Sequence, residues 1–348
     1  MALVDPDVVA VDPAEAAKPP SSPAAGAASR TEARSRPLEV LVLAGGLSHE
    51  RDVSLRSGRR VADALEDAGV SATVTDVDSD LLPTLDRLRP DVVWPLLHGS
   101  TGEDGSIRDL LELVGVPAVG TGSAGSRIAW SKPVSKTILA RAGVATPESA
   151  TLPASVFREV GARAVLDRVV DRLGLPLVVK PAKGGSALGV SVVTDVDALP
   201  QAMVTCFSYG EVALIERAAV GTELAVSVVD LGEGPVALPP VEIVVEDGIY
   251  DFDARYNAGR TEFYVPARVP AQHARAAQDA AVTAHRVLGL RGLSRTDLIV
   301  DDDGVPWFLE VNSAPGMTET SLLPLAAEAA GYALPDLYRA IVEHALRG

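Results

Sequence analysis

Between residues 38 and 120 the sequence alternates between short apolar runs and segments with helical periodicity. The run Leu38–Ala44 is typical of a strand buried on both faces, and Gly45 and Gly46 end it. Residues 54–69 then carry apolar positions every three or four residues, which predicts a helix ending at Gly69. Further strands are predicted at 70–77, 91–97 and 116–120, and a further helix at 105–114. This alternation predicts a parallel, doubly wound sheet.

After about residue 125 the predicted strands come too close together for crossover helices between them. Helices are predicted at 126–142 and 155–173. Strand-like runs follow at 176–180, 190–194, 212–216 and 223–230. Such spacing favours an antiparallel or mixed sheet with helices on one side. Asp301–Gly304 lies between two more apolar runs and predicts a hairpin turn.

These patterns divide an α/β chain into four parts. Residues 1–36 are rich in Ala, Pro and Ser and lack the apolar pattern of a core, so we expect a disordered tail. Residues 37–125 are predicted to form a Rossmann-like domain with a parallel sheet. Two further α/β subdomains are predicted, over 126–221 and 222–348.

The composition excludes several classes of protein. The net charge of −16, from 31 basic and 47 acidic residues, argues against nucleic-acid or membrane-surface binding, since both need a basic face. Cys206 is the single cysteine, which excludes an intrachain disulfide and a cysteine-based zinc site. No stretch reaches the ~18 apolar residues of a membrane span. Asp5 and Asp7 stand where a signal peptide would be basic, so we expect a cytoplasmic protein.

The strongest local cluster of polar residues lies on the strands that flank the predicted hairpin. Side chains alternate along a strand, so Glu310 and Asn312 point to the same face, and Asp297 can reach that face from the partner strand. Two carboxylates and an amide oxygen are hard ligands of the kind that Mg²⁺ prefers when it also holds phosphates. The alternative is a solvated edge face, on which acids are common.

A second cluster joins a predicted strand to a glycine-rich loop, with the sequence KPAKGGSALG over residues 180–189. Glycines let backbone N–H groups approach phosphate oxygens closely, and Lys180 adds a positive charge. Lys132, on a separate predicted helix, could supply a second cation. The alternative is an ordinary flexible hairpin.

A third cluster follows the first strand, at the sheet edge where open α/β sheets bind ligands. Glu50 could hold an ammonium group there, and His98 ends another strand at the same edge. The alternatives are an acid favoured by a helix dipole and a structural histidine. Together the three clusters supply cations, a metal face and an amine-binding carboxylate. That combination suits transfer of a γ-phosphoryl group to an acceptor.

Six segments of the chain then resemble the D-alanine–D-alanine ligase family, in the order and spacing of that family. The match covers residue 38 to the C-terminus. The segments read GGLSHERDVSLRSG, LLHGSTGEDGSIRDLLELVGVPAVGTG, VVKPAKGGSALGVSVV, YDFDARY, GLSRTDLIVDDDG and FLEVNSAPGMTETSLLP. The resemblance implies the two-part ATP-grasp fold after the Rossmann-like domain.

The resemblance also implies a role for each matching residue. Glu50 would hold the ammonium of the first D-alanine beside His98, and Ser186 and Tyr256 would hydrogen bond toward Glu50 and close the active-site loop. The implied oxyanion donors are Arg295 and the Gly316 N–H, and the second D-alanine carboxylate would lie at Ser321 and Leu322. The implied ATP contacts are Lys132, Lys180, Gly185, Ser186, Glu216, Ala219, Glu223 and Arg255. The implied metal ligands are Asp297, Glu310 and Asn312.

The implied enzyme joins two D-alanines at the expense of ATP, through an acyl phosphate, to supply peptidoglycan precursors. Two Mg²⁺ or Mn²⁺ ions and a homodimer are implied as well. One alternative is a related ATP-grasp ligase that acts on another D-amino acid or amine. Another is a catalytically silent nucleotide-binding regulator, against which the intact metal face, Arg295 and both lysines argue.

Two residues depart from the pattern of the family. Arg255 stands where a lysine usually precedes the tyrosine, and it keeps the charge but not the shape. Ala187 stands in the glycine loop where serine is commoner, which removes one hydroxyl near the phosphates. Both departures bear on rate and nucleotide affinity rather than on the class of reaction. Tyr256 is present, which favours a dipeptide product over a depsipeptide.

Overall fold

The computed structural model describes residues 36–245 and 261–347, and its strands form three sheets. The first sheet is parallel, with strand order β2-β1-β3, as the alternating pattern predicts. Its strands are β1 (Glu39–Leu43), β2 (Ser71–Thr75) and β3 (Val92–Pro95). The accompanying helices are α1 (Arg51–Asp67), α2 (Leu81–Leu88), α3 (Ser100–Glu103) and α4 (Ser106–Leu113). The strand predicted at 116–120 is wrong, since that run contributes only an isolated bridge between Val93 and Ala118.

The second sheet is antiparallel, with strand order β4-β7-β5-β6. Its strands are β4 (Ser149–Pro153), β5 (Leu177–Pro181), β6 (Ser191–Val193) and β7 (Val212–Arg217). The helices of this region are α5 (Ser123–Trp130), α6 (Lys132–Arg141), α7 (Ala154–Val156), α8 (Ala162–Leu173) and α9 (Leu199–Phe207). A π-helical turn, Phe157–Gly161, lies between α7 and α8. Helices α8 and α9 pack their apolar stripes on this sheet.

The helix predicted over 126–142 is two helices that are separated at Ser131. Pro133 has no N–H to donate back along the chain, so it is tolerated only in the first turn of a helix. Ser131 is accordingly extended, and α6 begins at Lys132. The break releases the Lys132 N–H, which donates to the carbonyl of Ala182 at 3.0 Å and anchors the start of α6 beside the glycine-rich loop.

The third sheet has the order β11-β10-β8-β12-β13, and β9 also pairs with β8. Its strands are β8 (Thr222–Val229), β9 (Val236–Ala237), β10 (Val241–Val245), β11 (Thr261–Tyr264), β12 (Leu293–Val300) and β13 (Pro306–Asn312). The remaining α-helices of the described residues are α10 (Ala271–Val287), α11 (Leu322–Ala329) and α12 (Leu334–Ala345). The predicted hairpin is confirmed: Asp301 Oδ1 accepts from the Val305 N–H at 2.8 Å, and Gly304 takes a φ of +83° that suits glycine.

The last helix packs against the first sheet. Tyr338 of α12 is fully buried, and its ring meets that of Trp94 on β3 edge-on, with the centroids 5.5 Å apart. Leu337 and Ile341 lie in the same apolar cluster as Val61 of α1. The core of the first sheet is therefore completed by residues more than two hundred positions later in the chain.

Each of the three sheets falls within one of the ranges predicted from the sequence, 37–125, 126–221 and 222–348. The chain from Pro37 onward nevertheless forms one compact unit, so the division into domains stays a prediction. Among the helices of the described residues, none combines the length and apolar character needed to cross a bilayer.

Candidate active site

Two adjoining cavities lie where the glycine-rich loop meets the third sheet. The first cavity, of about 90 Å³, contains most of the residues that we predicted to contact the amino-acid substrates. It is lined by Glu50, His98, Ser186, Arg295, Gly316, Ser321 and Leu322, together with Glu310 and Asn312 of the predicted metal face.

The second cavity, of about 380 Å³, contains most of the residues that we predicted to contact the nucleotide; Ser186 lines the first cavity instead. It is lined by Lys132, Lys180, Gly185, Glu216, Ala219 and Glu223, together with Asp297 and Glu310. Lys132, Gly184, Gly185 and Glu310 line both cavities, so these residues mark where the two cavities meet. Arg255 and Tyr256 lie outside the described residues.

Strand pairing brings the predicted metal ligands together. Asp297 on β12 is the register partner of Glu310 on β13, and partners across an antiparallel pair lie on the same face. Asn312 follows two residues after Glu310 and shares its face by the period of the strand. An irregularity at Leu309, where the register shifts between Asp297 and Leu298, keeps these partners aligned while the hairpin continues beyond them.

Cations of the protein already neutralise both carboxylates of this face. Arg295 donates from Nε and Nη2 to the two oxygens of Asp297, at 2.7 and 2.8 Å. Lys132 Nζ lies 3.1 Å from Glu310 Oε2. Within the described ranges, no group of three or more His, Cys, Asp or Glu side chains is positioned to hold a metal. The predicted set has two carboxylates and one amide, a donor set that fits Mg²⁺ if phosphate oxygens and water complete the shell.

A buried group of three charges supports the second cavity. Glu216 is 1% exposed and accepts from Lys136 Nζ at 2.6 Å, and Lys180 Nζ contacts its other oxygen. Burial opposes ionisation of Glu216, but the two lysines outweigh burial and hold its pKa below the ordinary value. Lys136 was not predicted as a site residue. It lies one helical turn after Lys132 on α6, and that i, i+4 spacing could have revealed it.

The glycine-rich loop reaches across to the carboxylate at the start of α1. Ser186 Oγ donates to Glu50 Oε1, and Lys132 Nζ donates to the Gly184 carbonyl at 2.6 Å. Ser186 and Ala187 both take left-handed backbone angles, with φ of +51° and +55°. Residues other than glycine adopt this conformation at a cost, so the surrounding contacts must hold the loop in it.

His98 lies at the end of β3 and faces the first cavity. It is 5% exposed, and its Nε2 has no hydrogen-bond partner among the described residues. Burial lowers the pKa of His98; Arg295 adds to this effect, while Glu50 opposes it. The ring is therefore neutral at pH 7 and offers an acceptor nitrogen close to Gly316.

Glu103 is a site residue that the sequence analysis missed. It lies on α3 within the HGSTGEDG segment, is 8% exposed, and accepts from the Gly99 N–H at 2.9 Å. Burial, aided by the negative charge of Glu50, raises the pKa of Glu103 to about 8. No local pattern predicts this burial, because it arises from residues of α1, α6 and β13 that meet around the first cavity.

We expect Glu103→Gln to change how the stability of the ligand-free protein depends on pH. The folded protein keeps a proton on Glu103 up to a pKa of about 8, whereas the unfolded chain releases it near 4.5. Stability should therefore fall between these values as the pH rises, by about 1.4 kcal/mol per pH unit for one proton. Chemical denaturation in EDTA from pH 5.5 to 8.5 should show a shallower fall for Glu103→Gln. Parallel profiles for both proteins would show that Glu103 is already ionised in the folded state.

Comparison with known proteins places the chain among ligases. The sequence model described as "D-ala D-ala ligase C-terminus" matches residues 138–343. The D-alanine–D-alanine ligase of Pelotomaculum thermopropionicum is 40% identical over 309 residues, which cover 89% of this chain and 97% of that protein.

Solved structures show the same fold. The D-alanine–D-alanine ligase of Bacillus anthracis complexed with ATP is 30% identical, with a TM-score of 0.75 over 90% of this chain and 98% of that one. The VanG D-Ala:D-Ser ligase of Enterococcus faecalis is 24% identical, with a TM-score of 0.76 over 89% of this chain and 100% of that one. At that identity the second likeness concerns the fold alone.

Proposed function

The chain belongs to the D-alanine–D-alanine ligase family, and we propose that its two cavities perform the ATP-dependent joining of two D-alanines. The fold is accordingly the ATP-grasp fold behind a Rossmann-like parallel sheet. The enzyme is an ADP-forming carbon–nitrogen ligase whose product supplies peptidoglycan precursors. One observation supports the assignment of this reaction to the two cavities. The cavity with the predicted substrate residues and the cavity with the predicted nucleotide residues meet at Lys132, Glu310 and the glycine-rich loop.

ATP is proposed to lie in the second cavity with its γ-phosphate at the junction. The apolar side chains of Val178, Val192 and Ile299 line that cavity and suit a flat adenine ring. Glu216 and the backbone near Ala219 would meet the adenine edge, and Glu223 would hold the ribose. Lys132 and Lys180 would neutralise phosphate charge, and the backbone around Gly185 would approach the oxygens.

The first D-alanine is proposed to lie in the first cavity with its ammonium on Glu50. Ser186 fixes the orientation of that carboxylate through its hydrogen bond. His98, which is neutral and buried, can accept a hydrogen bond from either amino-acid substrate through Nε2. Ser321 and Leu322 would receive the carboxylate of the second D-alanine, since Ser321 precedes the first turn of α11.

Divalent metal is proposed to bind at Asp297, Glu310 and Asn312, as two Mg²⁺ or Mn²⁺ ions. These residues fit hard cations because they supply oxygen donors from one face of the β12–β13 pair, beside the proposed phosphates. When bound, such ions neutralise charge on the transferring phosphoryl group. Arg295 and Lys132 now pair with the two carboxylates, so metal binding would free both cations to face the substrates.

The proposed reaction has two steps. The carboxylate of the first D-alanine attacks the γ-phosphorus, which breaks the bond to ADP and gives an acyl phosphate, with Lys132 near the developing charge. The amine of the second D-alanine then attacks the acyl carbon. Arg295 and the Gly316 N–H stabilise the oxyanion until phosphate leaves. The acyl phosphate must be kept from water until the amine attacks, which is the physical task of a closing loop.

The family resemblance also supports a proposal for the oligomeric state and the cellular location of the protein. We propose a homodimer in the cytoplasm, with ATP and D-alanine as small-molecule partners and with neither nucleic acid nor membrane as a ligand. The ranges 37–125, 126–221 and 222–348 are proposed as its three structural domains.

The test of the function is ADP release measured with a panel of D- and L-amino acids. We expect D-alanine alone to support turnover and to yield the D,D-dipeptide by mass spectrometry. D-serine belongs in the panel because a protein of the same fold is a D-Ala:D-Ser ligase. Preferred use of another D-amino acid or amine would favour the alternative ligase. Nucleotide binding without ADP release on any substrate would favour a silent regulator.

A further inference from the structure

A third cavity, of about 370 Å³, lies away from the proposed active site. It is bounded by the end of α4, the 115–122 segment, the residues before β12 and the end of α12. Among the described residues, none lines both this cavity and either cavity of the active site. We call it the Arg108 cavity, after the charged side chain in its wall.

Arg108 is buried without a matching negative charge. It is 4% exposed, and the one hydrogen bond found for its side chain runs from Nη1 to the Val119 carbonyl. Its Nε has no partner among the described residues. Burial lowers the pKa of Arg108 to about 10, which still leaves the guanidinium charged at neutral pH.

Over the residues that the structure describes, the cavity wall contains one carboxylate, that of Glu112, and it is hydrogen bonded to Ser123 rather than to Arg108. Glu112 accepts from the Ser123 N–H at 3.0 Å and from Ser123 Oγ at 3.1 Å. Its charge acts on Arg108 only at a distance, and no ion pair of Arg108 is found in the described part of the chain. A buried cation without a hydrogen-bonded anion is costly, so a ligand that supplies the anion would bind favourably.

The rest of the cavity wall indicates what the remainder of an anionic ligand should be. Leu111, Val116, Ile341 and Leu346 line the cavity with apolar side chains. Arg291 stands exposed at the rim as a second cation. Since one water occupies about 30 Å³ of liquid, the free volume exceeds what a bare inorganic ion would fill.

We propose that the Arg108 cavity binds a small organic anion, with a carboxylate or phosphate head on Arg108 and an apolar body against Leu111 and Ile341. The site goes beyond the proposed ligase reaction, because none of its residues contributes to that reaction. The segments that form its walls continue into elements that line the proposed active site. Thr121 Oγ1 accepts from the Arg291 N–H at 3.1 Å, α5 begins at Ser123, and β12 begins at Leu293.

The experiment is calorimetric titration of the whole protein with acetate, butyrate and hexanoate, and separately with inorganic phosphate and phenyl phosphate. A saturating unreactive ATP analogue with Mg²⁺ occupies the phosphate subsites of the active site during every titration. We expect affinity to rise about fourfold for each methylene that becomes buried. Binding of the carboxylates or of phenyl phosphate that depends on Arg108 supports the proposal and identifies the head group. Absence of binding by all five probes overturns it.

Variants locate the bound anion. Arg108→Gln should weaken binding at least tenfold, whereas Arg172→Gln, an exposed arginine on α8, should leave it unchanged. Ala345→Leu should also weaken binding, because the larger side chain fills part of the cavity while the charge of Arg108 is kept. This variant tests the site even if Arg108→Gln does not fold. ADP release by Ala345→Leu should stay near the wild-type rate. Equal affinities for the wild type and both cavity variants would show that the anion binds elsewhere.

Discussion

Glu310→Gln should reduce ADP formation at least about 100-fold while leaving the fold intact. Glu310 lies at the junction of the two cavities, opposite Asp297 in the strand register and 3.1 Å from Lys132 Nζ. The substitution keeps the shape of the side chain and removes one negative charge from the proposed metal face. The remaining carboxylate and amide then hold a divalent cation weakly, just where charge on the transferring phosphoryl group must be neutralised.

The measurement is coupled ADP release with excess Mg²⁺, together with the thermal unfolding midpoint. Asp302→Asn is the matched control, because it removes one charge from the exposed turn of the same hairpin. We expect the control to turn over at the wild-type rate and both variants to unfold near the wild-type midpoint. Turnover by Glu310→Gln within a few-fold of wild type would place the metal elsewhere.

Glu216→Gln should be the most destabilising single change at the nucleotide side of the site. Glu216 is buried between Lys180 and Lys136, and these contacts keep its pKa low and its charge present. Removal of that charge leaves two buried lysines facing a neutral amide. Breaking a buried pair by removing one partner costs about 3–5 kcal/mol, so a comparable loss in the free energy of unfolding is expected.

Urea denaturation at pH 7.5 measures this loss, with Glu148→Gln as the control. Glu148 pairs with Arg172 at 2.6 Å, but both side chains are largely exposed, so that pair should contribute less than about 1 kcal/mol. Adding Lys136→Met to Glu216→Gln should recover part of the stability, because one of the two unpaired cations is removed. A loss no larger than that of Glu148→Gln would mean that water or side-chain rearrangement compensates the lysines.

Periodicity in the sequence was enough to predict the parallel first sheet, the hairpin at Asp301–Gly304 and the positions of most helices. Periodicity did not predict the break at Ser131, because the helical pattern of apolar residues continues on both sides of Ser131. Pro133 was the one local sign of the break. The predicted strand at 116–120 has an apolar pattern but finds only one bridge partner. Local pattern therefore predicts elements well and their interruption poorly.

Site residues could be predicted from the sequence where charged or polar residues recur on one strand at the spacing that puts them on the same face. Glu310 and Asn312 share a face by strand period alone, and the structure pairs Asp297 with Glu310 across the hairpin. The burial of Glu103 and the bond between Ser186 and Glu50 join segments far apart in the chain; the family resemblance predicted the bond, but nothing predicted the burial. Single-sequence patterns carry no information on such distances. The roles assigned to these residues, including Arg255 and Tyr256 beyond the described ranges, stay predictions.

The packing of Tyr338 on Trp94 has a consequence for how the chain folds as it is synthesised. The strands and helices of the first sheet leave the ribosome early, yet part of one face of that sheet is covered by α12, more than two hundred residues later. During translation α1 can pack on part of that apolar face, but the part around Trp94 lacks its partner Tyr338 until α12 emerges. The packing of the first sheet is thus complete only after a helix more than two hundred residues later has been synthesised.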